Sequence, residues 1–361
     1  MDRRSFQRTM FLTAVGAPFA GAWWDRLGAI AEAPGDAVPA LPGGAEPARR
    51  TVIEYELPPA EQTHEVIRVP GSAVVLVSQM SSSTLVKLQL DQNERVTGVK
   101  GFPLGPPEAL LHGLAVSDRY PGMIWATHEG QDRLLLVDPG GSRLDTPPKI
   151  IRTIDVPAGG KGPHYVGEYG DFLWVTLKGS DQVLAISHRR PQDHRFYEAA
   201  SHPIFIARHP DTGEFFASLD ESSEILRIDA DAGTTSRIRI PPERGATPVG
   251  LVAGPAGVWV VLLGTKDRGT GTFGRIDRNG EITWFRLTSP LGRDAGLLHL
   301  AFAPQVAGQP PTAWLLSSSI ISSNTFDAII RVTFDDAYTR LTSEELVALP
   351  TQLCKAHRLL R

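Results

Sequence analysis

Three histidines, His64, His112 and His164, stand 48 and 52 residues apart, each near the opening of a short apolar segment. Imidazole nitrogen is both a ligand for divalent metals and an acid–base group that titrates near neutral pH. Histidines repeated at equivalent places can therefore bind a metal, move a proton, or divide the two tasks. His202 precedes a fourth such segment, His299 lies inside the opening of a sixth, and His357 repeats the pattern near the chain end. The candidate metal ligands are His64, His112, His164, His202 and His299. No His-Glu-x-x-His spacing accompanies them, so any metal site must be assembled from distant parts of the chain. The plainer role for a histidine that opens a strand is to bond a loop carbonyl in a wet channel.

His128-Glu129 is a second informative pair, directly after Trp125-Ala126-Thr127. Neighbours on a strand point to opposite faces, whereas a turn at this point lets both approach one site. The candidate catalytic residues are His112, His164, His128 and Glu129, with Asp220-Glu221, Glu168 and Lys178 as further polar groups. Lys178-Gly179-Ser180 and the Gly264–Thr272 stretch lack the Gly-x-x-x-x-Gly-Lys-Ser/Thr pattern of a phosphate loop. No Gly-x-Ser-x-Gly nucleophile elbow is present.

These residues need a scaffold that brings distant strand openings together. A unit of four short strands recurs about every 40–50 residues, most plainly in Trp174–Ile186, Phe215–Asp229 and Trp259–Asp277. Such a unit cannot bury its own apolar faces, so neighbours must stack on it. Turns such as Asp138-Pro139-Gly140 and Arg278-Asn279-Gly280 reverse the chain between the outer strands. The fold class is all-β, a β-propeller of six or seven antiparallel blades whose inner strands surround a channel. Six full units are visible. A seventh position would be assembled from 51–58 and 354–360. Trp125, Trp174, Trp259 and Trp314 recur on second strands, where large aromatics fill the space between twisted blades.

Residues 1–33 read as a twin-arginine export signal, with Arg3-Arg4 ahead of the modest apolar run Thr9–Val15. Residues 34–50 read as a Pro- and Gly-rich flexible lead, and 51–361 as one propeller domain. The expected location is periplasmic or extracellular. Cys354 is the single cysteine, which excludes an internal disulfide framework. A net charge of -4 with scattered charges offers no basic stripe for nucleic acid. The apolar run is too short and too broken by Gly16 and Pro18 for stable membrane insertion. The expected partner is a small molecule at the channel mouth.

The blade pattern resembles that of the streptogramin B lyase family, also called virginiamycin B lyase-like proteins. The resemblance lies in Gly162-Pro163-His164-Tyr165-Val166, Leu173-Trp174-Val175-Thr176 and Asp181–Ile186, and again in Thr247–Leu251, Val258-Trp259-Val260 and Phe273–Asp277. It implies a seven-bladed propeller that opens a cyclic depsipeptide at its ester by elimination, with Mg2+ and a His/Glu site at one mouth. It assigns His164 a metal-proximal role, and His112 or His357 the place of a second histidine. The family's Trp-Phe-x-Glu pattern on second strands is absent here, and Glu129 is the nearest acidic replacement. The functional expectation is an exported lyase acting on a cyclic ester or related small molecule by metal-assisted proton abstraction. A metal-dependent lactone hydrolase or isomerase, and a noncatalytic ligand- or protein-binding propeller, are the alternatives.

Overall fold

In blades two to five the inner and second strands are largely buried and the outer strand is the least buried. In blade one the inner strand Thr63–Arg68 is exposed and the second strand Val74–Gln79 buried. In blade four the inner strand Pro203–Arg208 and the second strand Phe215–Leu219 are almost wholly buried, whereas the outer strand Thr234–Arg239 is exposed. This gradient follows from wedge-shaped sheets packed around an axis. The computed structural model describes residues 57–348, except 61, 93, 94, 304, 306, 321, 323, 324, 326 and 327. The export signal, the lead and His357 lie outside the described residues.

Among those residues the chain forms six four-stranded antiparallel sheets, each with its strands in sequence order, and so a six-bladed propeller. The inner strands are Thr63–Arg68, Leu111–Val116, Pro163–Tyr169, Pro203–Arg208, Pro248–Gly254 and Leu297–Phe302. Residues 51–56 and 354–360, on which a seventh position would depend, lie outside the description. No described helix is long and apolar enough to cross a membrane.

Every inner strand carries a bulge just after its first residue. In blade two Leu111 pairs with His128 and Leu114 with Ala126, so His112 and Gly113 together oppose Thr127. The same slip places His64-Glu65, His164-Tyr165, Ile204-Phe205 and Val249-Gly250 in blades one, three, four and five. Blade six gains its extra residue at Leu298. A bulge turns the local strand and re-aims its side chains. The first bulge residue is therefore histidine in three consecutive blades and aliphatic in the other three.

A hydroxyl on the second strand secures most of these bulges. Ser78, Thr127, Thr176 and Ser218 accept the backbone N–H of Glu65, Gly113, Tyr165 and Phe205 at 2.8–3.2 Å. Three of them also donate to the next blade. Ser78 reaches the His112 carbonyl at 2.6 Å, Thr127 that of His164 at 3.2 Å, and Thr176 that of Ile204 at 2.9 Å. One buried oxygen thus satisfies an irregular N–H in its own blade and a carbonyl in its neighbour. Gly113 permits this close approach, since a Cβ there would fall 2.6 Å from the His164 carbonyl oxygen.

Further out, blades are tied by buried polar groups and aromatics. The fully buried Lys87 ammonium donates to the carbonyls of Pro139, Arg143 and Thr146, joining blades one and two. Trp174 stacks on Phe215 of the next blade at 3.6 Å. Trp259 lies 5.0 and 5.2 Å from Phe302 and Phe334, and its Nε1 donates to the Pro255 carbonyl. Trp314 shares the register of these residues yet departs from the expected inter-blade role, because it is 44% exposed. Trp259→Ala should therefore cost about 3–5 kcal/mol in urea unfolding, and Trp314→Ala no more than about 1 kcal/mol. Equal losses at the two positions would contradict the packing described here.

Candidate functional site

The bulges carry His64, His112 and His164 to one channel mouth. The ring centroids of His64 and His112 are 3.9 Å apart, as are those of His112 and His164. His64 and His164 are 6.4 Å apart, so His112 stands in the middle of the row. Glu129 begins the short turn Glu129–Gln131 directly after the second strand of blade two. Its Oε2 lies 4.0 Å from His112 Nε2. One ligand atom from each of His112, Glu129 and His164 lies within 4.8 Å of the others, a spacing that one ion can draw together. His64 leans against this group without belonging to it.

Nδ1 of His112, Nδ1 of His164 and Oε2 of Glu129 make no hydrogen bond of good geometry, although backbone groups of His164 and Ile204 in the next blade approach the two rings. A buried polar atom left so costs roughly 1–3 kcal/mol, which an added ligand would recover. Two neutral imidazoles and a carboxylate are a suitable donor set for a divalent metal, and the site fits such an ion.

Electrostatics keep the histidines unprotonated. Burial, then the proximity of His164, His64 and Lys178, holds His112 well below the usual histidine range. Burial and Lys178 do the same to His164. His64 is lowered to about 4 by burial within the mouth and by Lys178. The His64 residue is exposed overall whereas His112 and His164 are buried, so solvent screens this effect more there than at the two buried residues. Burial raises Glu129 to about 7, with Lys178 opposing the shift. Burial also raises Glu65, beside His64 in the first bulge, to about 7.

The remaining candidates stand outside the His112, Glu129 and His164 group. His128 is buried with Cε1 near Gly105, where a Cβ would fall 3.0 Å away, and it is not part of the His112, Glu129 and His164 group. His202 precedes its bulge by two residues and lies 3.2 Å from Glu221 and 3.9 Å from Asp220. His299 follows its bulge residue, and its ring packs edge-on to Phe205 while Nδ1 accepts the Leu300 N–H. Glu168 lies at the far end of its strand. It accepts the Ser117 hydroxyl and the Asp118 N–H at 2.7 Å, and lies 3.4 Å from the buried His188. It latches blades two and three.

Sequence reasoning did not single out Glu65 or His188, and it left Lys178 unplaced. Glu65 was signalled only by its place after His64. An open groove of about 700 Å³ between blades three and four, lined by Tyr169, Trp174, Arg195 and Arg208 among others, borders none of the mouth histidines.

The fold is similar to that of virginiamycin B lyase. The Staphylococcus aureus enzyme superposes with a TM-score of 0.56 at 20% identity, over 80% of this chain and 84% of that one. Its catalytically inactive variant with quinupristin gives 0.56 at 18% identity, over 81% and 90%. Kuenenia stuttgartiensis hydrazine synthase gives 0.55 at 15% identity, over 79% and 80%. The likeness is one of fold. No family model matches the chain, and no curated protein matches it.

Thr127 touches no ligand atom of the candidate site, yet it holds the bulge that presents His112 and the carbonyl of His164. Thr127→Val should cost about 2–3 kcal/mol by stranding a buried N–H and C=O, and should weaken divalent-metal binding. Thr127→Ser should restore both. Undiminished metal affinity in a destabilised Thr127→Val protein would show that the hydroxyl does not position the site.

Proposed function

We propose that this protein is a metal-assisted carbon–oxygen lyase acting on a cyclic ester or related small molecule at the channel mouth. The observation that carries the proposal is the grouping of His112, Glu129 and His164 at the mouth, with one ligand atom of each within 4.8 Å of the others. The likeness of the fold to virginiamycin B lyase supports the reaction class.

A divalent ion held by His112, His164 and Glu129 would polarise a substrate carbonyl and acidify the adjacent carbon. Mg2+ prefers oxygen ligands, so the nitrogen-rich donor set favours zinc, manganese or iron over it. With His112 and His164 engaged, His64 is the neighbouring neutral imidazole able to take the proton. A group lowered to about 4 is a weak base, suited only to a carbon acid that is already activated. Glu65, raised to about 7, can keep its proton near neutral pH and donate a hydrogen bond to the departing carboxylate, while the proton taken from carbon stays on His64.

Glu129 must lose its proton to bind an ion, whereas the two buried histidines are already neutral. Metal affinity should therefore be constant above about pH 7 and fall about tenfold per unit below it. In Glu129→Gln that step should vanish along with most of the affinity. Metal analysis of untagged protein, with His112→Ala and His164→Ala as folded controls, should find one ion lost in either variant. With cyclic esters the expected product is unsaturated. Incorporation of water would identify a hydrolase instead, and no metal with no turnover would identify a binding propeller.

A further inference from the structure

The first residue after the bulge is aliphatic in every blade. In blades two to six it is Leu114, Val166, Ile206, Leu251 and Leu300, each no more than 2% exposed. In blade one it is Val66, and Val66 is 64% exposed. The buried residues are covered from the blade before. Leu114 packs with Val74 and Leu76 of blade one, and Val166 with Trp125 and Leu134 of blade two. Val66 therefore faces a side on which no described blade stands. Trp314 meets the same space from the other end. Its counterparts Trp174 and Trp259 are covered by the blade after, whereas Trp314 is exposed.

The inner strands of consecutive blades pack closely from blade one to blade six. Among the described residues those of blade six and blade one do not pack closely on each other. The ring thus has one open joint with apolar side chains on both its faces, beside the strand that carries His64. Contact across such a joint removes apolar surface from water.

The chain beyond blade six has the length and register to enter it. His112 and His164 each lie nine residues after the last residue of the preceding outer strand, Pro103 and Asp155. His357 lies nine residues after Ala348, the last residue of the sixth outer strand. The fold does not impose that number, since Ile204, Val249 and Leu298 follow their outer strands by six, ten and twelve. With His357 in the first bulge position, Leu359 takes the aliphatic place of Leu114 and Val166.

We infer that residues 356–361 enter the open joint as an inner strand, and that His357 joins the row beside His64 as a fourth imidazole of the mouth. The strand covers Val66 on one face and sets Leu359 against blade six on the other. Neither part needs a bound ion.

Cys354 is the single cysteine, so a nitroxide on it reports on this segment in the full chain. Methyl NMR of the labelled protein should show the Val66 signals broadened and those of Ile206, three blades away, little changed. Leu359→Asp should restore the Val66 signals and leave the other blades as they were. His357→Ala should move the ring resonances of His64 and not those of His188. Equal weak broadening at Val66 and Ile206 would mean that the segment docks nowhere. Broadening in an isotope-labelled chain without nitroxide, mixed with nitroxide-labelled chain, would mean that a second copy fills the joint. Either result overturns the inference, as does a His64 ring indifferent to His357→Ala. All three readings are made without added metal, so a failure of the metal reading leaves them unchanged.

Discussion

The mouth depends on a small buried hydroxyl. At Thr127 one oxygen accepts the Gly113 N–H of its own blade and donates to the His164 carbonyl of the next. Ser78 and Thr176 make the same two bonds for the blades on either side. Without such a partner these three bulges would bury an unpaired N–H, although blade five keeps the same bulge opposite the apolar Val261. A one-residue slip there would rotate the histidine off the channel. The fold and the site therefore share their strongest local constraint.

The bulge register also divides the mouth. His64, His112 and His164 occupy the first bulge position in blades one to three, while Ile204, Val249 and Leu298 occupy it in blades four to six. The residues after the second strands are charged in blades two to four, Glu129, Lys178 and Asp220, and uncharged in blades five, six and one, Leu263, Ser318 and Met80, an arc shifted by one blade. Chemistry is thus concentrated on one arc of the channel and apolar packing on the other. The buried histidines stay neutral because desolvation and Lys178 act in the same direction, while the carboxyl of Glu129 is held near neutrality by opposing effects.

Much of this architecture was legible in the sequence because each blade is short and carries its own strand, turn and aromatic signals. The repeated histidine spacing likewise marked the openings that meet at one mouth. Distinctions of one or two residues were not legible. His202 and His299 sit only that far from the bulge position, yet the first turns to Asp220 and Glu221 and the second to Phe205. Lys178 and Glu129 look unrelated as a cation and an anion, and their equivalence emerges only from the backbone bond they share. The hydroxyl relay was also hidden, since Ser78, Thr127 and Thr176 read as ordinary strand residues until the neighbouring blade is in place. Trp314 shows the reverse difficulty, because the same residue in the same register is buried or exposed according to what covers it.

The most direct measurement is anomalous diffraction at the manganese edge from crystals soaked in Mn2+. The account requires a peak within about 2.3 Å of one nitrogen each of His112 and His164 and one oxygen of Glu129, with His64 beside it. No peak at the mouth, or an ion held instead by His202, Asp220 and Glu221, would contradict it.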